Sequence, residues 1–244
     1  MKPICSAGIF MLAMSALSQA ATYSFTTSAE YDANFREVVS GGSIGHNAGG
    51  YVSNTGVNQT VVVAYDTDGA GPGTTLYPVT LGTTLSMSAD VTMNEAGSFG
   101  IFFSGVGGGT TYLALFNITT GGDQFRFFSG GSLATGAAGT QDFTDNSTNP
   151  MNLGESGNIS ASFEVLAVDG VRISMTANGQ TFSRDYTGIT LPPQVEIAFR
   201  TYNPAGATLG TQIDNLVVTD PIPEPSAIGL AALGMVGLAA RRRR

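Results

Sequence analysis

The sequence predicts an all-β protein, a two-sheet antiparallel sandwich with a cleaved signal helix before it and a short hydrophobic helix after it. Three observations lead there. Apolar and polar residues alternate with period two through much of residues 21–220. Asp-Gly and Asn-Gly pairs fall between alternating runs, where a tight hairpin needs them. Outside the two ends no run carries a 3.6-residue apolar stripe, which argues against strand–helix alternation and hence against dinucleotide-binding or barrel-enzyme scaffolds. Composition agrees. The 244 residues hold 33 Gly and 10 Pro, only 11 % are charged, and one Lys and seven Glu leave few strong helix formers. With 42 % hydrophobic residues the chain has enough apolar material for a core.

Residues 1–20 run from Lys2 through an apolar stretch at 9–17 to Ser18-Gln19-Ala20. A short apolar run with one preceding charge and small residues at its exit reads as a secretory signal peptide, cut by signal peptidase after Ala20. Cys5 leaves with it, so the mature chain would have no disulfide and no thiolate ligand.

The strands follow in order. Alternation or β-branched and aromatic enrichment marks residues 23–27, 60–66, 85–93, 98–104, 111–118, 124–128, 159–167, 171–176, 181–186, 195–202 and 212–218. In the third, Leu85, Met87, Ala89, Val91 and Met93 face one way and Ser86, Ser88, Asp90 and Thr92 the other. Asp169-Gly170 and Asn178-Gly179 join three of these strands into a meander over residues 157–186. Such a set of strands closes into two packed sheets.

At the C-terminus Pro223-Glu224-Pro225 precedes 15 apolar or small residues, 226–240, and then Arg241, Arg242, Arg243 and Arg244. As a helix the apolar run spans about 22 Å at about 1.5 Å per residue, short of the roughly 30 Å hydrocarbon core. It would enter the inner membrane only as a marginal or transient anchor, with the arginines on the cytoplasmic side. This three-part pattern resembles the PEP-CTERM sorting signal, also catalogued as an ice-binding-protein C-terminal domain. The resemblance implies a Gram-negative envelope, recognition by an exosortase, and delivery to the cell surface or extracellular matrix, often alongside exopolysaccharide production. It is no evidence of ice binding. The chain thus divides into a signal peptide (1–20), a β-sandwich (21–220) and a sorting signal (221–244).

The central region holds 17 acidic residues against five arginines, a net charge of −12, whereas the whole chain carries −8. Such a surface repels nucleic acid and anionic lipid. The strand order, with the hairpin at 161–177 and the closing strand Ile213-Asp214-Asn215-Leu216-Val217-Val218, resembles the jelly-roll sandwiches of the concanavalin A-like lectin and laminin G group. That resemblance implies glycan or ligand binding, with hydrolysis in some branches.

Candidate sites are weighed against plainer readings. If the polar strand faces form one concave surface, Asp90, Glu164, Arg172, Arg184, Glu196 and Arg200 would project from it as a ligand site; the plainer reading is a solvated face. Tyr51, Tyr65, Tyr77, Tyr112, Tyr186 and Tyr202 are the aromatic platforms on offer to a sugar, since Trp is absent. Asp66-Thr67-Asp68-Gly69 begins as an oxygen-ligand loop for calcium would, but Tyr77 stands where an EF-hand requires Glu, and the plainer reading, which the turn residues favour, is an ordinary acidic turn. Gly41-Gly42-Ser43-Ile44-Gly45 contains G-x-S-x-G beside His46, the only histidine, yet no helix pattern follows, as a nucleophile elbow needs. The Glu-x-Asp-x-x-Glu run of concanavalin A-like glucanases is absent, because Leu166 and Ala167 follow Glu164. The sequence therefore favours an exported, non-catalytic module that binds exopolysaccharide or another envelope component. The alternatives are a secreted carbohydrate-active enzyme of the same fold and a purely structural matrix protein.

Overall fold

The computed structural model describes residues 20–40, 44–54, 59–66, 75–119, 122–203 and 210–219. The expected signal helix, the C-terminal helix, the Pro-Glu-Pro motif with its arginines, Ser43 and Asp68 lie outside them.

The described elements are, in order, β1 (Ala20–Tyr23), α1 (Ser28–Asn34), β2 (Phe35–Ser40), β3 (Ile44–Asn47), β4 (Tyr51–Asn54), β5 (Gln59–Tyr65), β6 (Tyr77–Pro78), β7 (Thr84–Thr92), β8 (Gly97–Val106), β9 (Tyr112–Thr119), β10 (Gly122–Ser129), β11 (Thr140–Asp145), β12 (Ser156–Ala167), β13 (Gly170–Ala177), β14 (Gln180–Thr187), β15 (Gln194–Asn203) and β16 (Gln212–Thr219). They form two antiparallel sheets. Sheet I has the order β14-β13-β12-β7-β16-β4-β3, with β1 also on β16; sheet II has the order β11-β10-β9-β8-β15-β5-β2, with β6 also on β15. The two-sheet sandwich is as the alternation predicts, and the meander β12–β13–β14 is present.

Three local outcomes differ from the sequence reading. The first strand ends at Tyr23, and α1 occupies residues expected to be irregular. Its seven residues are too few to show a stripe, and its start is fixed by polar groups: Thr27 Oγ1 accepts from the Glu30 N–H at 3.2 Å, while the Glu30 carboxylate accepts from the Ser24 and Thr26 N–H groups at 3.2 and 3.1 Å. Asn178 and Gly179 form the expected hairpin turn with φ of 45° and 85°. The other hairpin instead turns on Val168 and Asp169, because a bulge between Val165 and Ala167 sets Gly170 opposite Ala167. The short strands β3, β4 and β6, the edge strand β11 and β2 also escape the alternation test, which needs several residues with one face buried.

One core fills the space between the sheets, with inward residues from both: Phe163 of sheet I lies 5.8 Å from Phe103 and 6.3 Å from Tyr112 of sheet II, ring centre to ring centre. Sheet II also has an apolar outer face. Val62, Ala64, Phe102, Leu113, Phe128 and Ala198 are buried there beneath Leu133 and Ala138 of the loop that follows β10. Leu133 begins a one-turn 3-10 helix that ends at Gly136, whose φ of 67° only glycine adopts freely.

Candidate functional site

The site begins with an irregularity in β16. Gln212, Ile213 and Asp214 pair with Thr92, Val91 and Asp90 of β7; the register then slips by one residue, so that Val217 faces Ser88. Asn215 takes up the slip at φ 46°, a left-handed conformation that Asn tolerates better than most residues because its side chain hydrogen-bonds locally. Its backbone N–H donates to Asp214 Oδ1 at 2.7 Å and its side-chain amide to Asp90 Oδ2 at 2.9 Å. From the other side Asn158 of β12 donates to Asp90 Oδ1 at 3.0 Å. Two outward carboxylates directly opposite on neighbouring strands would repel. Here amide donors hold them apart and in place.

These residues line a groove of about 490 Å³ across the outer face of sheet I, at the end where β4, β16, β7 and β12 lie side by side. Tyr51 of β4 closes one side and Asn178, at the β13–β14 turn, the other, with Asp214, Asp90, Asn158 and Gln212 between them. A Cβ at Gly49 would stand 3.0 Å from a Tyr51 ring carbon, so glycine there lets the turn between β3 and β4 close on the ring. Asn178 Nδ2 donates to the Pro150 carbonyl at 2.8 Å, which fixes that wall. The groove therefore offers one aromatic ring, two carboxylate acceptors and several amides and hydroxyls on a rigid sheet, the inventory that recognises a hydroxyl-rich ligand.

The six charged residues singled out in the sequence do not share one surface. Asp90, Glu164 and Arg172 are on the outer face of sheet I. Arg172 is held there by Asp185 through Nε–Oδ1 and Nη2–Oδ2 bonds of 2.7 and 3.0 Å, with Glu164 at 4.0 Å. The contact raises the Arg172 pKa and lowers that of Asp185. Arg184 is in register with the inward-facing Ile173 and so starts from the opposite side of the edge strand β14, yet around that edge it lines an open depression with Arg172, Ser183 and Asp185. Glu196 and Arg200 belong to β15, on the outer face of sheet II. Of the tyrosines, Tyr65, Tyr77 and Tyr112 are buried and unfit as platforms; Tyr51 lines the groove.

Asp66 is 5 % exposed, and its Oδ2 lies 3.8 Å from Arg36 Nε. A guanidinium already supplies the positive charge that a cation would bring, so the described part of this loop does not fit calcium. Among the described residues no three His, Cys, Asp or Glu side chains are grouped to hold a metal ion. His46 points from β3 to the Phe25 carbonyl, with Nε2 at 2.7 Å, a contact that ties β3 to the segment before α1.

Asn158, Asn178, Gln212 and Asp214 were not singled out as site residues by sequence reasoning. One signal was present: Ile213, Leu216 and Val218 are spaced three and then two, which marks a bulge within an alternating strand.

A family model describing the PEP-CTERM protein-sorting motif matches residues 221–244. The chain carries a PEP-CTERM sorting motif. Such a motif implies exosortase-dependent export and sorting to the cell envelope or surface. No curated protein matches the sequence. Among solved structures the fold is similar to peanut lectin with a bound 9-mer peptide, at TM-score 0.52 and 13 % identity over 85 % of this chain and 100 % of that one. It is likewise similar to the Emp46p carbohydrate recognition domain in its potassium-bound form, at TM-score 0.55 and 8 % identity over 79 % of this chain and 91 % of that one. A legume lectin-like domain from Entamoeba histolytica gives TM-score 0.51 and 11 % identity over 82 % and 96 %. At these identities the likeness is one of fold: the PEP-CTERM chain has a body with the legume lectin, concanavalin A-like architecture.

Proposed function

We propose that the sandwich is a non-catalytic module that binds a saccharide of the extracellular matrix or envelope in the groove on sheet I, and that the tail delivers it there. The carrying observation is the groove itself, where Tyr51 stands beside Asp90, Asp214, Asn158 and Gln212. Sugars are bound by an aromatic ring against their apolar face and by fixed acceptors and amides against their hydroxyls. One fold neighbour, that of Emp46p, is a carbohydrate recognition domain, which adds support.

The carboxylates favour binding over hydrolysis. Glycoside hydrolysis places two carboxyl groups on opposite sides of the scissile bond. Asp90 and Asp214 sit on adjacent strands and the same sheet face, with Asp90 accepting an amide hydrogen bond at each oxygen. With both its oxygens already held by amides, Asp90 is suited to orienting a ligand hydroxyl.

The test is titration of the full chain in mild detergent against a glycan array and against exopolysaccharide, with calcium and again with EDTA. Saturable binding that falls at least tenfold in Tyr51→Ala and Asp90→Asn and is kept in Arg172→Ala supports the groove. Absence of saturable binding, or binding indifferent to Tyr51, overturns it. Loss of binding in EDTA alone would show that a divalent cation takes part in it.

A further inference from the structure

The outer face of sheet II carries two arginines without counter-charges. Arg126 of β10, Leu115 of β9, Gly100 of β8 and Arg200 of β15 are successive partners in one row across the sheet. Neither guanidinium has a carboxylate partner among the described residues, although the region has 17 acids to five arginines. Arg172 and Arg36 are paired with acids; these two are not.

Both are half-buried, and both lean towards the next row of the sheet. Arg200 donates from Nη1 to Ser98 Oγ at 3.3 Å and from Nη2 to Thr60 Oγ1 at 3.4 Å, while Arg126 donates from Nη2 to Gln124 Oε1. Gln124, Asn117, Ser98, Tyr202 and Thr60 form that row. The partners are all neutral. Each Nε is buried without a hydrogen-bond partner. Glu196, the acid on the same face of β15, is two outward positions away on the far side of Ala198, about 13 Å along the strand, and Arg200 leans in the opposite direction.

Burial without a counter-ion is unfavourable and pushes the Arg200 pKa down. A sandwich gains no stability from two such charges, so a ligand accounts for them better than the fold does. We propose that Arg126 and Arg200, three strand spacings or about 14 Å apart across the sheet, are two anion-binding points that each take a carboxylate or sulfate of one acidic oligosaccharide. The saccharide carrier rests on the carbohydrate reading above; the anion preference does not use the sheet I groove. Because the region's net charge is strongly negative, the pair suits a short acidic oligomer that spans the two arginines better than a long polyanion.

The test is calorimetric titration of the full chain in mild detergent with trigalacturonate, its methyl ester and a sulfated disaccharide. The wild-type chain should prefer the acid to its ester by about tenfold, the worth of one charge-assisted hydrogen-bond set. Arg126→Gln and Arg200→Gln should each lose that preference, with the melting temperature of Arg200→Gln unchanged or raised. The terminal arginines are common to all variants, so a preference kept in both overturns the subsite. So does a lower melting temperature with the preference intact, which would make Arg200 structural. Arginine-dependent binding of the sulfated sugar alone supports the subsite and names sulfate as the anion. Tyr51→Ala separates the two ideas: it should keep the acid preference while neutral glycan binding is lost.

Discussion

Asp90 and Asp214 face each other across β7 and β16, and the side chain and backbone of Asn215 tie the two carboxylates together. The bulge that inserts Asn215 is thus both a backbone feature and the organiser of the groove. Asn215→Ala loses the amide and keeps a Cβ at φ 46° without the hydrogen bond that helps Asn tolerate it, so it should cost about 1–2 kcal/mol of unfolding free energy in urea. Asn215→Gly relieves the backbone and loses only the hydrogen bond, and should cost less. The reverse order would mean that the left-handed backbone costs an alanine little here.

Asp123 predicts a pH effect. Its side chain is buried and accepts from the Met151 N–H at 3.1 Å; burial raises its pKa, and the hydrogen bond opposes the rise. A carboxyl with a raised folded pKa holds its proton more tightly in the native state. Stability is therefore lost as pH climbs from the ordinary value of 3.8 through the raised one. Asp123→Asn keeps an acceptor for Met151 and should flatten that segment of the stability–pH curve, measured by urea denaturation across the acid range.

The loop over sheet II should be sensitive to a single methyl. At Gly139, φ is 92° and a Cβ would lie 2.3 Å from the Ser129 carbonyl oxygen and 2.6 Å from the Gly131 nitrogen. Gly139→Ala should displace the loop, uncover Leu133 and Phe128, and raise binding of a hydrophobic dye. Leu133→Ala leaves the backbone in place and should cost about 2–3 kcal/mol for the lost buried side chain.

Arg172→Ala should leave the melting temperature unchanged, because its pairing with Asp185 and Glu164 is exposed to water. A fall on thermal denaturation would show that the network braces the edge strand β14.

The sandwich was legible because its long strands have one buried face each: Leu85 to Met93 and Ile159 to Val165 alternate without a break, and all their inward members are buried. Strands β3 and β4, four residues each, offer too few repeats for the same test. The groove was harder to see. Its members come from residues 51, 90, 158, 178, 212 and 214, brought together by a sheet order that no local pattern encodes. Outward charge alone could not separate the residues of two opposite outer faces, which is why Glu196 and Arg200 were grouped with Glu164 and Arg172. Counting arginines against acids in sequence likewise cannot show that Arg126 and Arg200 have no carboxylate partner among the described residues.

Strand β16 carries Gln212 and Asp214 of the groove and ends at Thr219, just before the sorting motif at 221. From Asp214 to Thr219 is about 17 Å of extended chain. A polymer seated in the groove and a tail fixed at the envelope would pull on β16 from its two ends, and the load would pass into the strands beside it that also line the groove. That strand is bonded to β7 on one side and to β4 and β1 on the other. Force along it would load those ladders in shear, many hydrogen bonds at once, where an edge strand would peel one bond at a time. The tether and the grip would share one interior strand of the sheet, bonded along both edges.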